Sequence, residues 1–187
     1  MNDLHVYSIA HNEIHLAPYF LACYKDHWQA AAITVYCHEC DDGTSEMLHA
    51  AGVETVDIWH GQPLDDENLR LLASNCWRGQ PEKWAAFVGF DELLYHPTPG
   101  PFLACLEMEG SQVALADGWL MLADEFPAFD GRQMWEQVEW GAPDKYSSKT
   151  ALFRADIDLT YSHGCHECYI LGRVQLSKGD YKLLHYR

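Results

Sequence analysis

Basic side chains are scarce in this sequence: 12 Lys and Arg stand against 28 Asp and Glu, a formal net charge of −16. A chain of that sign repels a nucleic-acid backbone or an anionic membrane surface at long range, so DNA, RNA and acidic lipid are excluded as partners. Long apolar runs are also missing. No stretch approaches the ~20 residues that cross a bilayer, which excludes an integral membrane segment. The opening MNDLHVYSIA has no basic segment ahead of an apolar one, and the expectation is a cytoplasmic protein. The cysteines (23, 37, 40, 76, 105, 165 and 168) are odd in number and scattered, which argues for reduced thiols over a disulfide framework. Internal repeats, linkers and low-complexity stretches are absent too.

What is present is core material. With 48% hydrophobic and 13% aromatic residues in 187, the chain can bury one substantial core, and a single domain over residues 1–187 is expected. Leu4 to Ala10 has the length and apolarity of a buried strand and breaks into His11-Asn12-Glu13. From Ile14 to Trp28, Leu16, Phe20, Leu21, Tyr24 and Trp28 recur at helical spacing, with Pro18 early enough to be tolerated. Ile33 to Tyr36 reads as a second strand, Ser45 to Ala51 as a helix ended by Gly52, Val53 to Trp59 as a third strand and Asp65 to Trp77 as a helix with an acidic start. Trp84 to Phe90 is a near-continuous apolar strand that stops at Asp91-Glu92. This alternation predicts an α/β fold with a mostly parallel central sheet. Beyond Pro97 the pattern is less regular, with strands expected near 113–116, 119–122, 150–153 and 181–186.

Three segments, His11 to Glu13, Cys37 to Thr44 and Asp91 to Tyr95, each follow a strand and should converge as loops on one edge of the sheet, the expected site. Cys-His-Glu-Cys occurs at 37–40 and again at 165–168, a unit that can hold zinc or do redox chemistry, and His11, His38, His163 and His166 could join a metal set. Buried free thiols and hydrogen-bonding histidines are the plainer reading.

His11-Asn12-Glu13, Leu16-Ala17-Pro18-Tyr19-Phe20-Leu21, and Val35-Tyr36 leading to Asp41-Asp42-Gly43-Thr44 resemble the opening of a family 2-like glycosyltransferase. Asn75, Trp77, Lys83-Trp84 and the strand into Asp91-Glu92-Leu93-Leu94-Tyr95 resemble the stretch in which that family carries Asp-x-Asp. Tyr146-Ser147-Ser148-Lys149, Leu152-Phe153-Arg154 and Gly164-Cys165-His166 resemble its later segment. The likeness covers roughly residues 4 to 170.

The resemblance implies a GT-A fold, a Rossmann-like α/β/α sandwich with a nucleotide-binding half (about 1–96) and a metal and acceptor half (about 97–187). The implied reaction moves a sugar from a nucleotide-sugar donor to a hydroxyl acceptor with Mn2+ or Mg2+, which would also offset the repulsion between an anionic donor and an acidic chain. By the same resemblance Asp91 is the metal carboxylate, with His166 and His163 as further ligands. His11, Asn12, Glu13, Asp42, Asn75, Lys149 and Arg154 fall to the nucleotide. A general base is sought in the later half, where Glu125, Asp117 and Asp124 are the available carboxylates. One departure stands out: Gly89 occupies the place of the first Asp of Asp-x-Asp. The alternatives are a Zn2+ or redox protein built on the two Cys-His-Glu-Cys units and a non-catalytic sugar-nucleotide-binding relative.

Overall fold

The computed structural model describes residues 1–172, 174–177 and 181–186. The first half follows the expected alternation. Strand β1 (Asn2–Ala10) leads through helix α1 (Ala17–Leu21), continued by a π-helical stretch at Ala22–His27, into β2 (Ala30–Cys37). Helix α2 (Thr44–Ala50), β3 (Glu54–Asp57), α3 (Asp66–Asn75) and β4 (Trp84–Gly89) come next. Asp65 caps α3 by accepting from the Asn68 N–H at 2.7 Å, so the acidic start satisfies an orphan donor as well as the helix dipole.

These four strands lie parallel in the order β3-β2-β1-β4, and alternation along them sorts side chains to two faces. Val6 and Ala10 of β1, with Trp84, Ala86 and Val88 of β4, pack towards α1 and its continuation; Tyr7, Ala85 and Phe87 pack towards Ala73 of α3 and Trp77 in the turn after it. Truncating a fully buried anchor such as Trp77 or Trp84 would cost about 3–5 kcal/mol.

The second half adds short pieces at long range. Segment 92–95, expected as loop, is strand β5 (Glu92–Tyr95), because only Phe90 and Asp91 turn before the chain pairs again. Helix α4 (Pro99–Met108) was not anticipated: Pro99 and Pro101 suggest irregular chain, yet both sit in the first turn, where no intrahelical donor is needed. Strands β6 (Val113–Ala114) and β7 (Asp117–Met121) follow, then β8 (Gly141–Pro143) and β9 (Leu152–Arg154). A hairpin of β10 (Asp158–Tyr161) and β11 (Cys168–Leu171) also went unforeseen, and β12 (Leu176–Ser177) and β13 (Lys182–Tyr186) complete the set.

Strand β9 runs antiparallel against β4 and β6, extending the large sheet to β12-β6-β9-β4-β1-β2-β3. A second sheet, β5-β13-β7-β8, stands beside it. At its β5 margin the α1 continuation supplies side chains where a strand partner would be. The Tyr24 hydroxyl donates to Glu92 O at 2.7 Å and accepts from Leu94 N at 3.0 Å, and Trp28 Nε1 donates to Leu94 O at 2.7 Å. No helix among the described residues is long and apolar enough to cross a membrane.

Candidate functional site

The loops after β1 and β2 are tied together by their own polar side chains. Asp42 accepts from Ile14 N (2.9 Å), Thr44 N (2.9 Å) and the Thr44 hydroxyl (2.6 Å). Burial works to raise its pKa, but those donors outweigh it and hold the carboxyl below the usual range. Asn12, in left-handed backbone at φ 57°, accepts from Asp41 N at 2.8 Å, and His11 Nδ1 lies 2.7 Å from His38 O. Glu13 is half-buried beside them. Burial first, then the charges of Asp91 and Asp42, lift its pKa.

Asp91 follows β4 at the same edge. Its Oδ2 lies 2.8 Å from Nε2 of His185 on β13, and Ser147 Oγ lies 3.2 Å from His185 Nδ1 while donating to Asp144 at 2.6 Å. A chain Asp144–Ser147–His185–Asp91 results. Burial opposes ionisation of Asp91, yet the His185 hydrogen bond and charge prevail and its pKa is lowered. Its neighbour Glu92 is buried in an ion pair with Lys149 and also accepts from Gly89 N. Adjacent carboxylates therefore have opposite surroundings: one is partly exposed at the sheet edge, the other enclosed.

Gly89 explains how both fit. A Cβ at this position would meet Asp91 Oδ1 at 2.8 Å and Glu92 Oε2 at 3.1 Å, so the two carboxylates occupy the space that the first Asp of the motif would need. Gly118 is required for a similar reason, since a Cβ there would meet Ser148 N at 2.3 Å and push the Asp144–Ser148 turn off β7.

Two clefts open beside these residues. A cleft of 610 Å³ lies between Asn12, Glu13 and Leu16 on one side and Phe126, Pro127 and Phe129 on the other. A second of 280 Å³ is walled by Asp117, Ser148, Lys149 and His166.

Other expected site residues lie elsewhere. Arg154 pairs in register with Trp84, at the start of β4 and hence the far edge of the sheet, and its guanidinium is bound to Asp156 at 2.9 Å. Asn75 ends α3, which leads back to the start of β4, and donates to Leu71 O at 2.7 Å. Helix and strand direction carries both away from the loops. His163 lies 3.3 Å from Glu67 on the first turn of α3, while His166 lines the Lys149 cleft, so neither joins Asp91 in a ligand set. Glu125 is exposed on the chain that follows β7.

Among the described residues no group of three His, Cys, Asp or Glu could hold a metal by itself. The Cys-His-Glu-Cys units pack on opposite faces of the large sheet, Cys37 and Cys40 with the α1 side and Cys165 and Cys168 with the α3 side. Burial pushes the Cys37 and Cys165 thiols up to about 11.

Sequence reading missed His185 and Ser147. His185 falls within a plain strand pattern, Lys-Leu-Leu-His-Tyr, 94 residues from its partner, and only pairing of β13 with β5 brings the two together.

No family model and no curated protein matches the chain. Solved structures do. The chain superposes on S. aureus TarS 1-349 in complex with UDP-GlcNAc with a TM-score of 0.60 at 12% identity, over 100% of this chain and 59% of that one. On a longer S. aureus TarS structure the TM-score is 0.60 at 11% identity, covering 100% of this chain and 37% of that one. A further TarS 1-349 structure gives 0.55 at 13%, over 83% and 47%. The chain therefore spans between 37% and 59% of the length of these relatives in structure. The likeness establishes the fold: a mixed α/β, GT-A-type architecture with a mostly parallel central sheet.

Proposed function

We propose that this chain is a nucleotide-sugar-dependent glycosyltransferase core, with the donor lying across the strand-end edge from Asn12, Glu13 and Asp42 to the Lys149 cleft. The observation that supports this reading is Asp91, partly exposed at the strand-end edge and hydrogen-bonded to His185, on a fold that superposes on TarS 1-349 in complex with UDP-GlcNAc. Asp42 keeps lone-pair capacity on Oδ2 for a base or ribose contact after accepting from Ile14. Lys149, already paired with Glu92, and His166 line the cleft that would take the diphosphate.

In the reaction the acceptor oxygen bonds to the anomeric carbon as the bond from that carbon to the diphosphate breaks, and a carboxylate takes the acceptor proton. Glu125 is our choice for that base, since it adjoins Phe126 at the rim of the larger cleft, opposite Glu13. Asp117, in the Lys149 cleft, is the second candidate. Asp91 fits Mg2+ or Mn2+ of the kind held by one carboxylate plus substrate phosphates, with His185 orienting it; Zn2+, which needs three or four protein ligands, does not fit. When bound, the cation would neutralise charge on the leaving diphosphate.

The enclosed environment of Gly89 favours one rival, a relative that binds sugar nucleotides without turning them over. Thermal-shift titration with UDP-, GDP-, CMP- and TDP-sugars, with and without Mn2+, tests both. One sugar nucleotide should raise the melting temperature, more with Mn2+, and Asp91→Asn should abolish the Mn2+-dependent part. No shift with any of the four would remove the reading; a shift with no product when an acceptor panel is supplied would favour the rival. Without ligand, Asp91→Asn should lower stability slightly. The sequence alone suggests relief of repulsion in an acidic cluster, but the carboxylate it removes is the one His185 holds.

A further inference from the structure

Phe126 and Pro127, at the rim of the 610 Å³ cleft, also line a small cavity of 60 Å³ with Met134 and Tyr186, and Met121 and Val138 stand between that cavity and a third cleft of 290 Å³, so the three lie in a row. Alternation on β13 sends Lys182, Leu184 and Tyr186 to this groove and His185 to Asp91, so one strand lines the groove with one face and orders the site with the other. The 290 Å³ end is walled by Tyr95, Trp119 and Trp135, with Lys182 and Glu139 at its margin. The Lys182 ammonium sits 4.2 Å from the Trp119 ring centre, and the Tyr95 and Trp135 rings meet edge to face at 5.3 Å. At the small cavity, the Tyr186 hydroxyl is buried and has no hydrogen-bond partner among the described residues.

We propose that this groove binds the acceptor as an uncharged oligosaccharide, one sugar at the transfer cleft and another at the Trp119–Trp135 end, with the linkage passing Tyr186. A pyranose offers an apolar C–H face to an aromatic ring and hydroxyls to groups at its edge, which is the chemistry these walls present. A lipid tail or an apolar peptide would leave Lys182, Glu139 and the Tyr186 hydroxyl without partners, and a buried hydroxyl without a partner is costly. An anionic glycan would meet the field of a chain with net charge −16. The assignment of this ligand as acceptor rests on the glycosyl-transfer reading; the binding itself does not.

Isothermal titration of the whole chain with gluco-, manno- and N-acetylglucosamine oligosaccharides of one to six units tests it. In at least one series affinity should rise from the monosaccharide and level off within the series. Trp119→Ala should weaken the preferred oligosaccharide by about tenfold. Tyr186→Phe should weaken it by about threefold with the melting temperature unchanged, because its hydroxyl has no partner to lose among the described residues. Trp140→Ala, at an exposed position outside the groove, should change nothing. Equal affinity for monosaccharide and hexamer, no binding in any series, tighter binding of oligogalacturonate, displacement by a short-chain acyl detergent, or an unaffected Trp119→Ala would each overturn the groove. If oligosaccharides bind as expected while no sugar nucleotide shifts the melting temperature, the groove stands and glycosyl transfer falls; the opposite pair of results leaves transfer and removes the groove.

Discussion

The two halves of this chain build one edge by different means. In the first, neighbouring strand-loop-helix units supply everything locally: Asp42 gathers Ile14 and Thr44, and Asn12 holds Asp41, all between loops that consecutive parallel strands bring together. In the second, single residues are delivered from far along the chain: Lys149 reaches Glu92 across 57 residues and His185 reaches Asp91 across 94. Local patterns make a scaffold, whereas the electrostatics that tune it come from a distant segment whose own pattern says little.

The Lys149–Glu92 pair is where that contrast can be broken hardest. Both side chains are buried, so Lys149→Ala leaves an uncompensated carboxylate and should destabilise by about 3–5 kcal/mol, read from chemical denaturation. The double variant Lys149→Met/Glu92→Gln should recover most of the loss. If Lys149→Ala alone costs less than 1 kcal/mol, the second half is not anchored through this pair.

The local half should respond more mildly. Asp42→Ala removes one acceptor from three donors and should cost about 1–2 kcal/mol, with the β1 and β2 loops showing faster amide exchange while Lys149 and Glu92 stay protected. Faster exchange throughout β13 as well would mean the two halves are not separately held.

The smallest effect belongs to Glu13, and its sign is opposite. Its folded-state pKa is raised, so ionising it costs stability: the penalty is absent below the ordinary carboxylate range and grows as pH rises through the raised value. Glu13→Gln should therefore stabilise at pH 7 by less than about 1 kcal/mol and have no benefit well below pH 4. A gain that persists in acid would assign the effect to packing instead of charge.

The legibility of the sequence follows the same division. Strands β1 to β4 and their helices announce themselves, because each buried strand is a continuous apolar run and each helix shows its period within fifteen residues. The loop triad around Asp42 was legible for that reason. Helix α4 hid behind Pro99, Gly100 and Pro101, and β5 behind the charges of Asp91 and Glu92, whose burial depends on a lysine that the sequence does not place. Lys149 reads as a surface charge until β9 and β13 are in position. Arg154 and Asn75 fall to the nucleotide by the resemblance because sequence order does not reveal which end of the sheet a residue occupies; the antiparallel direction of β9 and the return path of α3 decide that.

The tyrosine and tryptophan that stand in for a strand beside β5 have a consequence for solubility. A sheet margin with free N–H and C=O groups invites another chain to add on. Here Tyr24 and Trp28 take up Glu92 O and both backbone groups of Leu94, and at the opposite margin β8 ends in Pro143, which has no N–H to offer. The small sheet is therefore closed at one border by borrowed side chains and blunted at the other by an imino acid. Both margins of this four-stranded sheet thus offer another chain fewer free backbone groups than a bare strand edge would.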